Sequence, residues 1–245
     1  MRIIPAIDIK DGRCVRLIQG DFEHETVYYP DPLEAANHLK DQGVDLIHMV
    51  DLDGAVLGKP VHFEWIEKII ENFDLGIEIG GGIRQVCDAE KYLDMGVERV
   101  ILGTAAYEDP RVYKQLFRNY SPEKVVVGVD SRDGWVAISG WRETTLTSSI
   151  DFILHLEKEG FQTVIFTDIC RDGMMTGPNL KSIRSVLENC NMNIVISGGV
   201  SSMDDLREIL TLPHQSRIDG IIIGKALYEK KIELTSAVEL IRAHS

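Results

Sequence analysis

A single (β/α)8 barrel built from two (β/α)4 halves is the fold this sequence predicts, and three observations lead to it. Eight short β-branched runs alternate with eight amphipathic segments across 245 residues, a length that suits one barrel of roughly 250 residues. The runs are continuously apolar rather than alternating, as parallel strands buried on both faces are. Four landmarks also recur, in order, at offsets of 117 to 122 residues. Together these favour a closed TIM-type barrel over a doubly wound open sheet, which does not explain the repeat.

Strands are expected at 2–8, 45–51, 76–80, 98–103, 124–130, 162–168, 193–197 and 218–223. Helices are expected at 31–42, 61–72, 85–95, 110–119, 146–159, 180–190, 202–211 and 232–243. Pro32, Pro60, Pro110 and Pro178 stand near helix starts, where a missing N–H costs nothing. Gly43, Gly96 and Gly160 stand at helix ends, where a left-handed turn favours glycine.

The repeat sets the organisation. Val125-Val126-Val127-Gly128-Val129-Asp130 echoes Ile3-Ile4-Pro5-Ala6-Ile7-Asp8, and Ile194-Val195-Ile196-Ser197-Gly198-Gly199 echoes Ile77-Glu78-Ile79-Gly80-Gly81-Gly82. Ile221-Ile222-Ile223-Gly224-Lys225 echoes Val100-Ile101-Leu102-Gly103-Thr104, and the second strand of each half ends in Asp51 or Asp168. Neither half buries its sheet faces alone, so one domain over 1–245 is expected, with repeats of about 1–120 and 121–245.

Composition narrows the function. A net charge of −13 with no Lys/Arg-rich run argues against nucleic acid and against an anionic membrane surface. An anionic ligand must then be held locally, by backbone amides. Cys14, Cys87, Cys170 and Cys190 show no metal or disulfide spacing, and no apolar stretch reaches membrane-spanning length. The expectation is a cytoplasmic protein with neither metal nor cofactor and with no obligate protein partner.

In this fold the working face lies at the C-terminal ends of the strands. Asp8 and Asp130 fall there and suit general acid–base chemistry, one removing a proton while the other donates one. Whichever is the acid needs its pKa raised by roughly 2–3 units, through burial or a neighbouring carboxylate. The bland reading is that they cap the next segment or pair with Lys10 or Arg132. Gly81, Gly82, Gly103 and Thr104 in one half, and Gly198, Gly199, Gly224 and Lys225 in the other, form two candidate phosphate cradles, with Gly177 added from a neighbouring loop. Glycines there also make tight turns without any ligand. Two cradles on one mouth imply a long ligand with a phosphate at each end. Asp51, Gly20 in the long loop 10–30, Trp141 and Asp172 are the candidate substrate contacts. His48 reads as a satisfied core histidine.

Several of these stretches are recognisable. Ile4-Pro5-Ala6-Ile7-Asp8-Ile9-Lys10-Asp11-Gly12, Val15-Arg16-Leu17-Ile18-Gln19-Gly20-Asp21, Val50-Asp51-Leu52-Asp53-Gly54-Ala55, Gly80-Gly81-Gly82-Ile83-Arg84 and Thr167-Asp168-Ile169-Cys170-Arg171-Asp172-Gly173 strongly resemble the histidine-biosynthesis isomerase family. That family acts on phosphoribosylformimino-5-aminoimidazole carboxamide ribotide (ProFAR), and the resemblance runs the full length. It implies an Amadori rearrangement of an aminoaldose to an aminoketose without cofactor or metal. It further implies that Asp130 is the acid that opens the ribose ring, that Asp8 is the base at the sugar's second carbon, that Asp172 positions the substrate and that Trp141 stacks on it. Met174-Met175-Thr176 departs from the family's usual Thr-Leu-x. Three other readings stay open: a dual-substrate isomerase that also takes phosphoribosylanthranilate, the sister cyclase with its glutaminase partner, and a silent barrel that senses phosphorylated metabolites. Retention of both acids weighs against the last.

Overall fold

The computed structural model describes residues 1–244. Its sheet has twelve strands, six from each half. The first half supplies β1 (Arg2–Lys10), β2 (Arg13–Ile18), β3 (Asp21–Tyr29), β4 (Leu46–Asp51), β5 (Gly76–Gly80) and β6 (Arg99–Leu102). The second supplies β7 (Val125–Arg132), β8 (Trp135–Ile138), β9 (Glu143–Ser148), β10 (Thr163–Asp168), β11 (Asn193–Ser197) and β12 (Ile218–Ile223). Eight of them pair in parallel, β1–β4–β5–β6–β7–β10–β11–β12, and β12 returns to β1 to close the barrel.

The remaining four strands correct one expectation. The stretch 10–30 is not an open loop: β2 turns back antiparallel on β1, and β3 on β2. The second half repeats the device, with β8 on β7 and β9 on β8. As a result residues 146–148 complete a strand, and the helix expected from 146 starts at Ser149. The outermost segments, β3 and β9, are mostly polar, Glu23-His24-Glu25-Thr26 among them, so they lack the apolar run that marks a strand. They pair because the first strand of each half runs past the barrel rim and offers a free edge.

Eight longer helices cover the outside, and local chemistry sets their starts. Asp31 and Asp109 cap helices whose first residues are Pro32 and Pro110, their carboxylates accepting from the backbone N–H of Leu33 and Arg111. Ser202 and Asp205 form a reciprocal capping box. Three short helices were not foreseen, Leu52–Leu57, Thr104–Glu108 and Lys225–Tyr228, each one turn or so long and set directly on a strand end.

The core has two layers. A large cluster lies between barrel and helices. A small one fills the barrel itself: Ile4, Ala6, Leu46, Ile101, Val126, Ile165, Val195 and Ile222. Strand β5 alone of the eight sends no apolar side chain into it. Leu46 is fully buried there, so Leu46→Ala removes packing that nothing can slide in to replace. A loss of about 2–5 kcal/mol in unfolding free energy is expected from a urea melt, against a change within about 0.5 kcal/mol for Leu146→Ala on the exposed β9.

Candidate active site

One cavity of about 510 Å³ opens at the C-terminal ends of the barrel strands. Asp8 and Asp130 both line it, and the repeat explains why. Each stands two residues before the end of its half's extended first strand, and each pairs across the hairpin seven residues on, Asp8 with Val15 and Asp130 with Ala137. Inward-facing positions alternate along a strand, so Ile4, Ala6 and Asp8 share one side of β1 while Val126, Gly128 and Asp130 share one side of β7.

The two acids have different surroundings. Asp8 is paired with Arg16 of β2, Nη1 to Oδ2 at 2.8 Å. Arg16 also donates to the carbonyl of Ala6 and lies over the Tyr228 ring, 5.2 Å from its centroid. Its guanidinium is held firmly protonated: burial is the largest single influence and opposes the charge, but Asp8, with smaller contributions from Tyr228, Cys14 and Asp172, outweighs it. Asp130 has no cationic partner at hydrogen-bond distance. Burial pushes its carboxyl up, while hydrogen bonds from the Trp141 and Thr167 side chains and the nearby His48 pull it partly back. Asp172 goes further, to about 6, driven by burial first and then by repulsion from Asp8, with Arg16 opposing. The cavity thus holds one carboxylate compensated by a guanidinium and two carboxyls that burial pushes above the usual range.

Both glycine sets line the same cavity. Gly103 and Gly224 have nearly superimposable backbones, φ/ψ −103/−103 and −106/−101, each leading into a short helix whose first N–H groups have no intrahelical partner. Gly82 and Gly199 sit at positive φ against backbone: an added Cβ would lie 2.4 Å from the Gly54 carbonyl oxygen and 2.7 Å from that of Gly177. No larger residue fits either turn, and the backbone is left bare toward the cavity. Arg16 presently lies across Gly224. Thr104 accepts from the N–H of Ser139, and the Lys225 ammonium donates to the Gly173 carbonyl, which ties both cradles to neighbouring loops.

The loops above the mouth are joined. The Trp141 ring packs on Gly20, where any Cβ would stand 2.6 Å from the ring. Gln19 donates its N–H to the Asp172 carbonyl at 3.3 Å and its side-chain amide to the Cys170 carbonyl at 3.1 Å. The hairpin of the first half and the loop after β10 therefore meet over the cavity. Met175 lines the cavity while Met174 faces out.

Two expected contacts are placed elsewhere. Asp51 is 1% exposed and does not line the cavity. Its carboxylate accepts from the N–H groups of Gly54, Val61 and His62, so it caps the short helix and braces the turn after it. Gly177 also lies off the cavity, and its carbonyl backs Gly199. Asp51, Asp53 and His62 offer ligand atoms within 4.8 Å of one another, yet the Asp53 carboxylate is spent on His62 and the Asp11 N–H, and the group lies off the cavity. The sequence reading missed Arg16 as the partner of Asp8 and His48 as a lining residue. The side-chain alternation of β4 carried the second signal, because Leu46, His48 and Val50 share a face.

Comparison with known proteins gives the family. A family profile described as "Histidine biosynthesis protein" matches residues 2–233. A protein of Syntrophomonas wolfei is 44% identical over 238 residues, 97% of each chain. One of Thermodesulfovibrio yellowstonii is 44% identical over 242 residues, 99% of this chain and 98% of its own. One of Chloroherpeton thalassium is 46% identical over 231 residues, 94% of this chain and 88% of its own. All three are named 1-(5-phosphoribosyl)-5-((5-phosphoribosylamino)methylideneamino) imidazole-4-carboxamide isomerase. With a match of this extent, the chain belongs to the histidine biosynthesis protein family, whose (β/α)8 barrel it carries complete to the closing strand.

Proposed function

We propose that this protein is the aldose–ketose isomerase of histidine biosynthesis, carrying out the Amadori rearrangement of a ribotide with a phosphate at each end. The observation that carries the reading is the pair Asp8 and Asp130, one from each half, in a single cavity that also holds both glycine cradles. Relatives covering nearly the whole chain bear the name of that isomerase, and nothing in them favours phosphoribosylanthranilate as a second substrate.

The site residues divide the chemistry as follows. The cradles, Gly81, Gly82, Gly103 and Thr104 on one side and Gly198, Gly199, Gly224 and Lys225 on the other, hold the two phosphates and span the sugar between them. Asp130, whose carboxyl is pushed up by burial, gives a proton to the ring oxygen. The bond from that oxygen to the first sugar carbon breaks, and the attached nitrogen's lone pair forms a C=N bond in its place. Asp8 then takes the proton from the second carbon, whose electrons form a C=C bond as the C=N electrons return to nitrogen. Loss of the enol's hydroxyl proton and delivery of a proton to the first carbon yield the ketone. Each transfer needs a positioned group, and such groups contribute about 10²–10⁴-fold apiece. Arg16 compensates Asp8 until substrate enters, and Trp141 covers the opened chain. No helix among the described residues is long and apolar enough to cross a membrane.

Asp8→Asn and Asp130→Asn are each expected to lower kcat at least about 10²-fold with little change in KM, measured by steady-state turnover of the two-phosphate substrate. Near-normal turnover in either variant removes that residue from the mechanism. For Asp172 the test is thermodynamic. A carboxyl whose pKa is higher in the folded chain binds its proton more tightly when folded, so it destabilises the fold as pH rises from about 4 to about 6 and fully above that. Asparagine cannot ionise, so Asp172→Asn is expected to raise Tm relative to wild type more at about pH 7.5 than at about pH 4. An equal shift at both pH values excludes the strained carboxyl.

A further inference from the structure

Glu78 has no part in the chemistry above, yet it is a fully buried carboxylate inside the barrel. It lies on β5, beside His48 in the ladder with β4. The equivalent ladder position in the second half pairs Ile165 with Val195. Both of those are apolar members of the barrel's inner cluster. Packing alone is therefore satisfied by two hydrophobes at this level, and the first half has exchanged them for an ionisable pair.

The hydrogen bonds around Glu78 have a direction. Arg99 donates its Nε–H to Oε2 at 2.7 Å, with Nη2 in ion-pair contact at 2.6 Å, and a guanidinium only donates. Oε1 is left to His48, whose Nδ1 stands 2.6 Å away. The Arg99 ion pair at Oε2 keeps Glu78 a carboxylate, which has no hydrogen to donate and so accepts at both oxygens. Nδ1 of His48 must then carry the hydrogen. In the neutral ring that leaves Nε2 bare. Nε2 has no hydrogen-bond partner among the described residues, and His48 lines the cavity shared by Asp130 and Asp172.

We propose that Glu78 is a positioning residue of the reaction: it holds Nδ1–H of His48 and so presents a bare Nε2 to the cavity as the acceptor for a hydroxyl of the substrate's sugar. The proposal rests on the isomerase reading, which places that sugar between the cradles. It also accounts for the chain of charges beyond Glu78, buried at Arg99 and half-buried at Asp219 and Arg2. Arg99 reaches Asp219 at 3.2 Å, and Asp219 lies 3.7 Å from Arg2, so the charge that fixes His48 is itself neutralised down to the barrel floor.

The substitution Glu78→Gln tests this sharply, because an amide has one acceptor end. Arg99 claims the oxygen, the NH2 then faces Nδ1, and the ring must move its hydrogen to Nε2. Ring ¹⁵N shifts of His48 are expected to report Nδ1–H in the wild type and Nε2–H in the variant. Turnover is expected to fall about 10- to 100-fold with KM within about threefold, since a wrong tautomer spoils an otherwise intact geometry. Adding Arg99→Met frees the amide oxygen to turn to His48, and is expected to restore both the tautomer and most of kcat. A purely structural role predicts the opposite, further loss on removing a second member of the network. Should the variants fail to fold, wild-type protein still decides: the Nε2 resonance is expected to shift on binding product. Nε2–H in the wild type, an unmoved Nε2 on product binding, or unchanged kcat in a variant with the reversed tautomer each overturns the role of Glu78. Wild-type protein without turnover of the two-phosphate substrate instead overturns the isomerase reading on which the role depends.

Discussion

Closure of the parallel sheet is the constraint from which the rest follows. Once β12 returns to β1, all eight strands run the same way round and end at one rim. Every inward side chain near those ends then projects into one shared space. Two acids that are 122 residues apart in the chain thereby become neighbours across a mouth, without any local sequence feature joining them. The same closure leaves no room for helices or water-filled packing inside, so the interior layer beneath the mouth must be filled by side chains. Ile4, Leu46, Ile101, Val126, Ile165, Val195 and Ile222 fill most of it.

Electrostatics at the rim follow from that crowding. Asp8, Asp130 and Asp172 share one cavity, and the protein as a whole carries −13. Burial raises both Asp130 and Asp172, and repulsion from Asp8 and Asp130 adds to the shift of Asp172. Arg16, brought in by the first hairpin, compensates Asp8. Asp130 and Asp172 instead move toward their neutral forms. Position alone thus gives residues of one type different proton affinities, the condition for both kinds of proton transfer in one site. The bare backbone at Gly82 and Gly199 lets an anion approach without adding net charge to the site.

How much of this could be read from the chain depended on the range of the interaction. The barrel strands were legible to within a few residues, because runs such as Val125-Val126-Val127 and Ile221-Ile222-Ile223 have no other way to be buried. Helix starts were legible at Asp31-Pro32 and Asp109-Pro110, where capping is a matter of adjacent residues. The hairpin strands were not: β3 and β9 are mostly polar, β2 and β8 are short, and the pairing to β1 or β7 is what makes them strands. Among site residues, the glycines and the two aspartates announced themselves through repetition. Asp51 repeats equally well at Asp168 and yet is a cap, since a carboxylate at a strand end serves a turn as readily as a substrate. Arg16 and Glu78 escaped notice because their partners, Asp8 and His48, are fixed by strand register and not by sequence spacing.

The two halves differ most where the chemistry must be one-sided. A symmetrical mouth suits a ligand with a phosphate at either end, but the reaction itself has a direction: one carbon is opened and another deprotonated. The barrel supplies direction by breaking its own repeat. Arg16 compensates Asp8, while Asp130 has only Trp141 and Thr167 as hydrogen-bond partners. His48 and Glu78 stand at the level where the second half has Ile165 and Val195. The loop bearing Asp172 follows β10, whereas its counterpart after β4 winds into the short helix capped by Asp51. Duplication accounts for a site with two like ends, and these departures from it give the two sides different electrostatics.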